Sequence, residues 1–136
     1  MRPKRLEFAV QVDRAGRILA ETGGPLDVPA AYSAEHLVLA GLGRCTLASL
    51  EYHARRASLE LVVGRVSASG VVTRRDEDGR YAFVEVECRL DVRLEPAPTG
   101  DELQALLEKT ERDCFVGASL TAAPRYAWRV NGEDLR

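Results

Sequence analysis

The spacing of hydrophobic positions changes several times along this chain, and each change marks an element. Leu6, Phe8, Val10 and Val12 recur every second residue, the alternation of a half-buried strand. Asp13-Arg14-Ala15-Gly16 then makes a tight turn into Arg17 to Glu21, so the N-terminal segment reads as a short β-hairpin. Thr22-Gly23-Gly24-Pro25 ends it, and the stretch to Tyr32, which contains Pro29, reads as a loop. Ser33 is placed to cap a helix in which Leu37, Val38, Leu42, Cys45, Leu47, Ala48 and Tyr52 recur at helical spacing up to about Ala57. From Ala34 to Leu50 the strongly polar side chains are Glu35, His36 and Arg44. That is more apolar than a one-sided surface helix requires, so this helix is expected to be buried on several sides.

Glu60 to Arg74 has a strand pattern that Gly64 and Gly70 are expected to break, and Asp76-Glu77-Asp78-Gly79 reads as a turn. Tyr81 to Leu94 alternates cleanly. Val84, Val86, Cys88, Leu90, Val92 and Leu94 face one way and Glu85, Glu87, Arg89, Asp91 and Arg93 the other, giving one core face and one wet face. Pro96, Pro98 and Gly100 end the strand, and Thr99 or Asp101 caps a helix through Leu103, Leu106, Leu107 and Thr110. Tyr126, Trp128 and Val130 form a last short strand. The order β-β-α-β-β-α-β, with two hairpins and no alternating βαβ run, predicts an α+β fold rather than a doubly wound one. No repeat or linker divides it, and residues 1–136 read as a single domain.

Composition narrows the function. At 136 residues with 46% apolar side chains, the chain can bury a core without metals or a disulfide framework. Nineteen basic against twenty-one acidic residues give a formal charge of −2, with no basic stripe interleaved with aromatics, which argues against nucleic-acid binding. Met-Arg-Pro-Lys-Arg has no apolar stretch behind it and no run approaches the length of a membrane span, so a cytoplasmic protein is expected. Three widely separated cysteines, an odd number, do not make an extracellular disulfide scaffold. In a reducing compartment they are packing residues, metal ligands or redox groups.

Cys88 lies at an inward position of the alternating strand and reads as a core residue. Cys45 lies within its helix between Gly41, Gly43 and Ala48, where small residues permit close approach of a backbone or a ligand. Helical periodicity alone leaves it as a small hydrophobe at a crossing or as a reactive thiol. Cys114 follows Glu111-Arg112-Asp113 and precedes the apolar Phe115-Val116, a change of direction that suits packing and function equally. No Cys-x-x-Cys spacing exists and His36 and His53 are seventeen residues apart, so no metal site is expected. A hydrolase with Cys45 as nucleophile and either histidine as base has no local motif to mark it. Gly41-Leu42-Gly43 falls inside a helix, which removes it as a phosphate loop.

Together these residues resemble the signature of the OsmC and organic-hydroperoxide-resistance family. The stretch Ser33-Ala-Glu-His-Leu-Val-Leu-Ala-Gly-Leu-Gly-Arg-Cys45 sets a glutamate, Glu35, ten residues before a cysteine, as that family does. Leu107-Glu-Lys-Thr-Glu-Arg-Asp-Cys114 is similar to its second cysteine region, and Asp13-Arg14-Ala15-Gly16-Arg17 to its first-hairpin arginine, with Arg14 the better match and Arg17 the fallback. The family's second cysteine usually opens a Cys-Pro-x-Ser stretch, whereas this chain reads Cys114-Phe-Val-Gly.

The resemblance implies an intertwined homodimer with a long buried helix and active sites at the subunit interface. It also implies a thiol peroxidase that reduces organic hydroperoxides to alcohols without a bound cofactor. Cys45 would attack the peroxide, Arg14 would stabilise its thiolate, Glu35 would orient Arg14, and Cys114 would close a disulfide with Cys45. An external dithiol such as dihydrolipoamide or a lipoylated protein would reopen it. A free thiol with pKa near 8.5 is only about three per cent ionised at neutral pH, and lowering that pKa to roughly 6.5 would make about three-quarters of it reactive. Leu37, Val38, Phe115 and Val116 would line a pocket favouring bulky peroxides. Ten residues of helix span about 15 Å and leave two side chains roughly 80° apart, so Glu35, and Arg14 with it, are expected to serve Cys45 of the other subunit. The rival readings are a weakly reactive or non-catalytic dimer that binds a small apolar or thiol-reactive ligand, and a purely structural dimerisation module.

Overall fold

The computed structural model describes residues 2–135. The chain divides into two compact units, the first ending at Leu37 and the second running from Val38. In the first, β1 (Val10–Val12), β2 (Arg17–Ala20) and β3 (Leu26–Asp27) form an antiparallel sheet in that order. The predicted hairpin is there, but its first strand begins at Val10 rather than Leu6, and Phe8 is 81% exposed. Asp13 Oδ1 fixes the turn by accepting the backbone N–H groups of Ala15 at 2.9 Å and Arg17 at 3.1 Å. The expected loop after it contains β3, a two-residue strand pairing Arg17 with Asp27 and too short to carry a hydrophobic period.

The long helix α1 (Ala34–Arg56) matches the predicted span. Its burial does not match. Buried positions begin at Leu42 and continue through Gly43, Thr46, Ser49, Leu50 and Ala54, a single helical face, while Leu37 and Val38 stay 36% and 38% exposed. Burial on several sides is therefore not met within one chain.

The second unit also holds a four-stranded sheet. β4 (Glu60–Arg74) and β5 (Tyr81–Glu95) form the antiparallel hairpin, β6 (Arg125–Val130) runs parallel to β5, and β7 (Glu133–Leu135) closes the edge antiparallel to β6. β4 runs unbroken through Gly64 and Gly70, because the bare Cα of Gly70 makes room for the Phe83 ring: a Cβ there would stand 2.7 Å from it. Gly43 lets α1 approach β4 in the same way, with Val66 2.9 Å from where its Cβ would be. The alternation of β5 appears as predicted from Val86 onward, Val86, Cys88, Leu90, Val92 and Leu94 all being buried, but Val84 is only half-buried: the register against β4 shifts between Val71 and Val72, and Phe83 packs on the core instead.

A helical crossover joins β5 to β6, as a parallel pair requires. It comprises α2 (Gly100–Arg112), with Thr99 at the N-cap position but its side chain making no capping hydrogen bond, and α3 (Phe115–Ser119), a single short turn. Among the described residues the seven predicted elements thus become ten, β3, α3 and β7 being the additions, and the parallel β5–β6 pair joins the β4–β5 hairpin to the β6–β7 hairpin within one sheet. Leu42 and Leu50 of α1, Leu106 and Leu107 of α2, the inward face of β5 and Trp128 of β6 form the core. Among the described residues no helix is long and apolar enough to cross a membrane.

Candidate active site: two thiols at one helical turn

The core brings Cys45 and Cys114 together. Cys45 sits beside the buried face of α1 and is half-buried, whereas Cys114, fully buried, occupies the corner between α2 and α3. Three hydrogen bonds pin that corner. Ser49 Oγ donates to the Thr110 carbonyl at 2.9 Å, His53 Nε2 meets Asp113 Oδ2 at 2.8 Å, and Trp128 Nε1 donates to Glu111 Oε2 at 2.8 Å. The chain direction change at Asp113 leaves the first N–H groups of α3 without helical acceptors. Both thiols take these up: the Val116 N–H donates to Cys45 Sγ at 3.4 Å and the Gly117 N–H to Cys114 Sγ at 3.5 Å. All three cysteines are free thiols.

The electrostatics of Cys45 within this chain do not favour its thiolate. Burial raises its pKa, the Val116 and Phe115 N–H groups pull it back, and the adjacent Cys114 thiol raises it further. An acidic Cys45 therefore needs a cation that the site as described around it does not supply.

Thr46 organises what lies behind Cys114. Its hydroxyl donates to the Leu42 carbonyl at 2.9 Å, which leaves its lone pairs facing Cys114 Sγ at 3.4 Å and the Cys88 thiol, which donates from 3.9 Å. Cys88 is a core residue, as its strand position predicts, and burial pushes its pKa up to about 11. Its sharing of Thr46 with Cys114 is not visible in one-dimensional pattern, nor is Tyr126, which pairs with Cys88 across β5 and β6 and carries its hydroxyl to the same cluster. The one available signal is a threonine directly after Cys45 in an otherwise apolar run.

Arg14 is exposed in the β1–β2 turn, and Glu35 is exposed at the second position of α1; both belong to the first unit. Arg17 Nε binds Asp27 Oδ1 at 3.2 Å, while Arg14 pairs with no carboxylate among the described residues. Val116 is half-buried and packs on the core, and Phe115 beside it is 61% exposed. His36 bonds Ser33 Oγ at 2.9 Å and His53 is held by Asp113, so neither imidazole is engaged with a thiol. Among the described residues no group of three or more acidic, histidine or cysteine side chains is arranged to hold a metal. A cavity of about 480 Å³ over Arg65, Arg89 and Arg129 lies on the sheet and is lined by none of the cysteines.

Two thiols are presented to the first turn of a short helix within an α+β fold. Residues 26–129 match the family described as OsmC-like protein, and the chain belongs to that family. The match includes Glu35, Cys45 and Cys114 and stops short of Arg14. No curated protein matches the chain. Among solved structures, an OsmC-like protein of unknown function from Vibrio cholerae shares 16% identity, covering 91% of this chain and 99% of that one at a TM-score of 0.75. An OsmC-like protein from Mycoplasma pneumoniae shares 14%, covering 94% and 96% at 0.65. An organic hydroperoxide resistance protein from Elizabethkingia anophelis shares 19%, covering 93% and 96% at 0.63. At these identities the likeness establishes the fold.

Proposed function

We propose that this protein is a cysteine peroxidase that reduces organic hydroperoxides through a Cys45 sulfenic acid and a Cys45–Cys114 disulfide. The observation that supports this most directly is the pairing of the accessible Cys45 with the buried Cys114 at one turn, each thiol held by a backbone N–H. The Cys45 thiolate attacks a peroxide oxygen, the O–O bond breaks, and the alkoxide leaves and takes up a proton as the alcohol. Cys114 then attacks the Cys45 sulfur, expelling hydroxide, which is protonated to water, and the S–S bond forms. An external dithiol, with dihydrolipoamide or a lipoylated protein as the expected form, supplies two electrons to reopen it.

The cation is assigned to Arg14, oriented by Glu35, both from the second subunit of a homodimer. Leu37 and Val38, exposed at the start of α1, and Phe115 beside Cys114 are the apolar groups available to a subunit interface or a substrate chain. The second reading, a weakly reactive dimer that binds a small apolar ligand, is favoured by one observation: the Cys45 pKa lies above that of an ordinary thiol.

Titration of the reduced protein with cumene hydroperoxide, with intact mass to locate products, separates the two. The peroxidase loses two thiols per chain to a Cys45–Cys114 bond, Cys45→Ser abolishes the loss, and Cys114→Ser leaves a sulfenic or overoxidised Cys45. Loss no faster than that of an ordinary thiol removes the peroxidase and leaves the binding dimer.

A further inference from the structure

The Tyr126 hydroxyl is buried without a hydrogen-bond partner among the described residues, although its polar neighbours are Thr46 and Cys114. An orphaned hydroxyl in a core is costly and calls for a reason. Gly117 is what admits it: a Cβ at that position would stand 3.0 Å from the Tyr126 oxygen and 3.4 Å from Cys114 Sγ. Hydroxyl and thiol therefore border the same small space, which only a glycine leaves open.

The donors around Cys114 are otherwise committed. The Thr46 proton goes to the Leu42 carbonyl at 2.9 Å, so in the resting state Thr46 accepts from the Cys114 thiol rather than donating to it. Cys88 donates to Thr46, and the Gly117 N–H reaches Cys114 Sγ at a long 3.5 Å. Once Cys114 loses its proton, the sulfur can only accept, and it sits where no water reaches it. The charged and titratable groups near this cluster are Cys45 on α1, Cys88 on β5, Tyr126 on β6, Glu111 with Asp113 at the end of α2, and the two partners of Asp113, His53 and Arg112. His53 and Arg112 are both bonded to the Asp113 carboxylate, and neither bonds Cys114 Sγ among the described residues.

We infer that Tyr126 is the hydrogen-bond donor reserved for the Cys114 thiolate, idle while Cys114 is a thiol and engaged each time that sulfur carries the negative charge. This rests on the two-cysteine reading. The thiolate arises twice: when Cys114 gives up its proton to attack the Cys45 sulfur, and when an external thiolate attacks Cys45 in the disulfide, so that the S–S electron pair returns to Cys114. Burial holds the Tyr126 pKa well above its ordinary value, so the phenol keeps its proton throughout and acts as a donor rather than an acid.

The test uses 4,4′-dithiodipyridine on the reduced protein and needs no peroxide. The Cys45 thiolate attacks the probe and releases one thiopyridone; Cys114 then attacks Cys45 in the mixed disulfide and releases the second. Tyr126→Phe keeps the ring that stacks on Trp128. It is expected to leave the first release unchanged, to slow the second about ten- to hundredfold, and to move the second's pH profile upward. Gly117→Ala is expected to act in the same direction by displacing the hydroxyl. Because Tyr126→Phe deletes a group that is unpaired at rest, its thermal midpoint is expected to stay level or rise. An unchanged second release in Tyr126→Phe overturns the inference alone, as does a fall in its midpoint, which would mean that the hydroxyl is already bonded in the thiol state. A single release from the unaltered protein, with no Cys45–Cys114 bond by intact mass, overturns the two-cysteine reading and this inference with it.

Discussion

His53 on α1 and Asp113 at the end of α2 meet at 2.8 Å, one residue before Cys114. The contact ties the helix that carries Cys45 to the corner that carries Cys114, and the Ser49 bond to Thr110 lies one turn along the same interface. Asp113 also holds Arg112 at 3.0 Å, and Arg112 first, then His53, keeps its carboxyl below the usual carboxylate range. A carboxyl with a depressed folded pKa contributes its stabilisation above the ordinary pKa near 4 and loses it as pH falls through the depressed value. The anchor's carboxylate is thus charged throughout the neutral range. His53→Ala and Asp113→Asn are each expected to slow Cys45–Cys114 bond formation severalfold at pH 7 while leaving the initial reaction of Cys45 unaltered. Stopped-flow thiol release separates the two steps.

The raised pKa of Cys45 predicts the sign of the Arg14 effect. Burial holds the thiol protonated above the pH at which an ordinary cysteine ionises, so a guanidinium brought to it must lower the midpoint of its alkylation profile. Arg14→Ala is expected to shift the iodoacetamide profile of Cys45 to higher pH by a unit or more, about tenfold in thiolate fraction at neutral pH. Arg17→Ala is expected to leave the profile in place, because its guanidinium is already bound to Asp27 at 3.2 Å. The reverse pattern would transfer the role to Arg17.

Phe115 stands where the family's usual pattern has proline, and its N–H is one of two backbone donors that favour the Cys45 thiolate. The position tolerates proline sterically: Phe115 opens α3, and Cys114 before it is extended at φ −77°, ψ 107°. Phe115→Pro therefore deletes one N–H together with an aromatic ring that is 61% exposed, and Phe115→Ala, which keeps the N–H, isolates the loss of the ring. The expected result is an upward shift of the Cys45 alkylation profile with the fold retained by circular dichroism. The Val116 N–H, at 3.4 Å, remains and limits the shift.

The two thiols are legible in the sequence as candidates because each breaks a pattern, Cys45 among small helical residues and Cys114 at a charged helix end. Their convergence is not, because it depends on a 68-residue loop closing through α2 and on the register that sets Cys88 opposite Tyr126. Local pattern also misjudges Gly70. A glycine inside a strand signals a break unless a large side chain needs the space, and here that side chain is Phe83, on the neighbouring strand. Gly70→Ala is expected to destabilise by about 1–3 kcal/mol, since the Phe83 ring must move and the Glu85 carbonyl at 3.2 Å confines the new methyl group. Urea denaturation measures it.

α1 runs without interruption from Ala34 to Arg56, so Glu35 and Cys45 are separated by ten residues of continuous helix, about 15 Å of axial rise. If Glu35 serves the Cys45 of a second subunit, two inactive variants should rescue each other. Glu35→Gln keeps Cys45, and Cys45→Ser keeps Glu35; in a mixed dimer one site combines the intact Cys45 of the first chain with the intact Glu35 of the second. Equal amounts, unfolded and refolded together, give half mixed dimers with one working site in two, or about a quarter of the unaltered peroxidase activity. Service within one chain predicts no recovery, since every site would then carry one of the two lesions. Mixing Cys45→Ser with Cys114→Ser supplies the control: a disulfide formed within one chain leaves every site in that mixture without one of its two thiols, and activity stays absent.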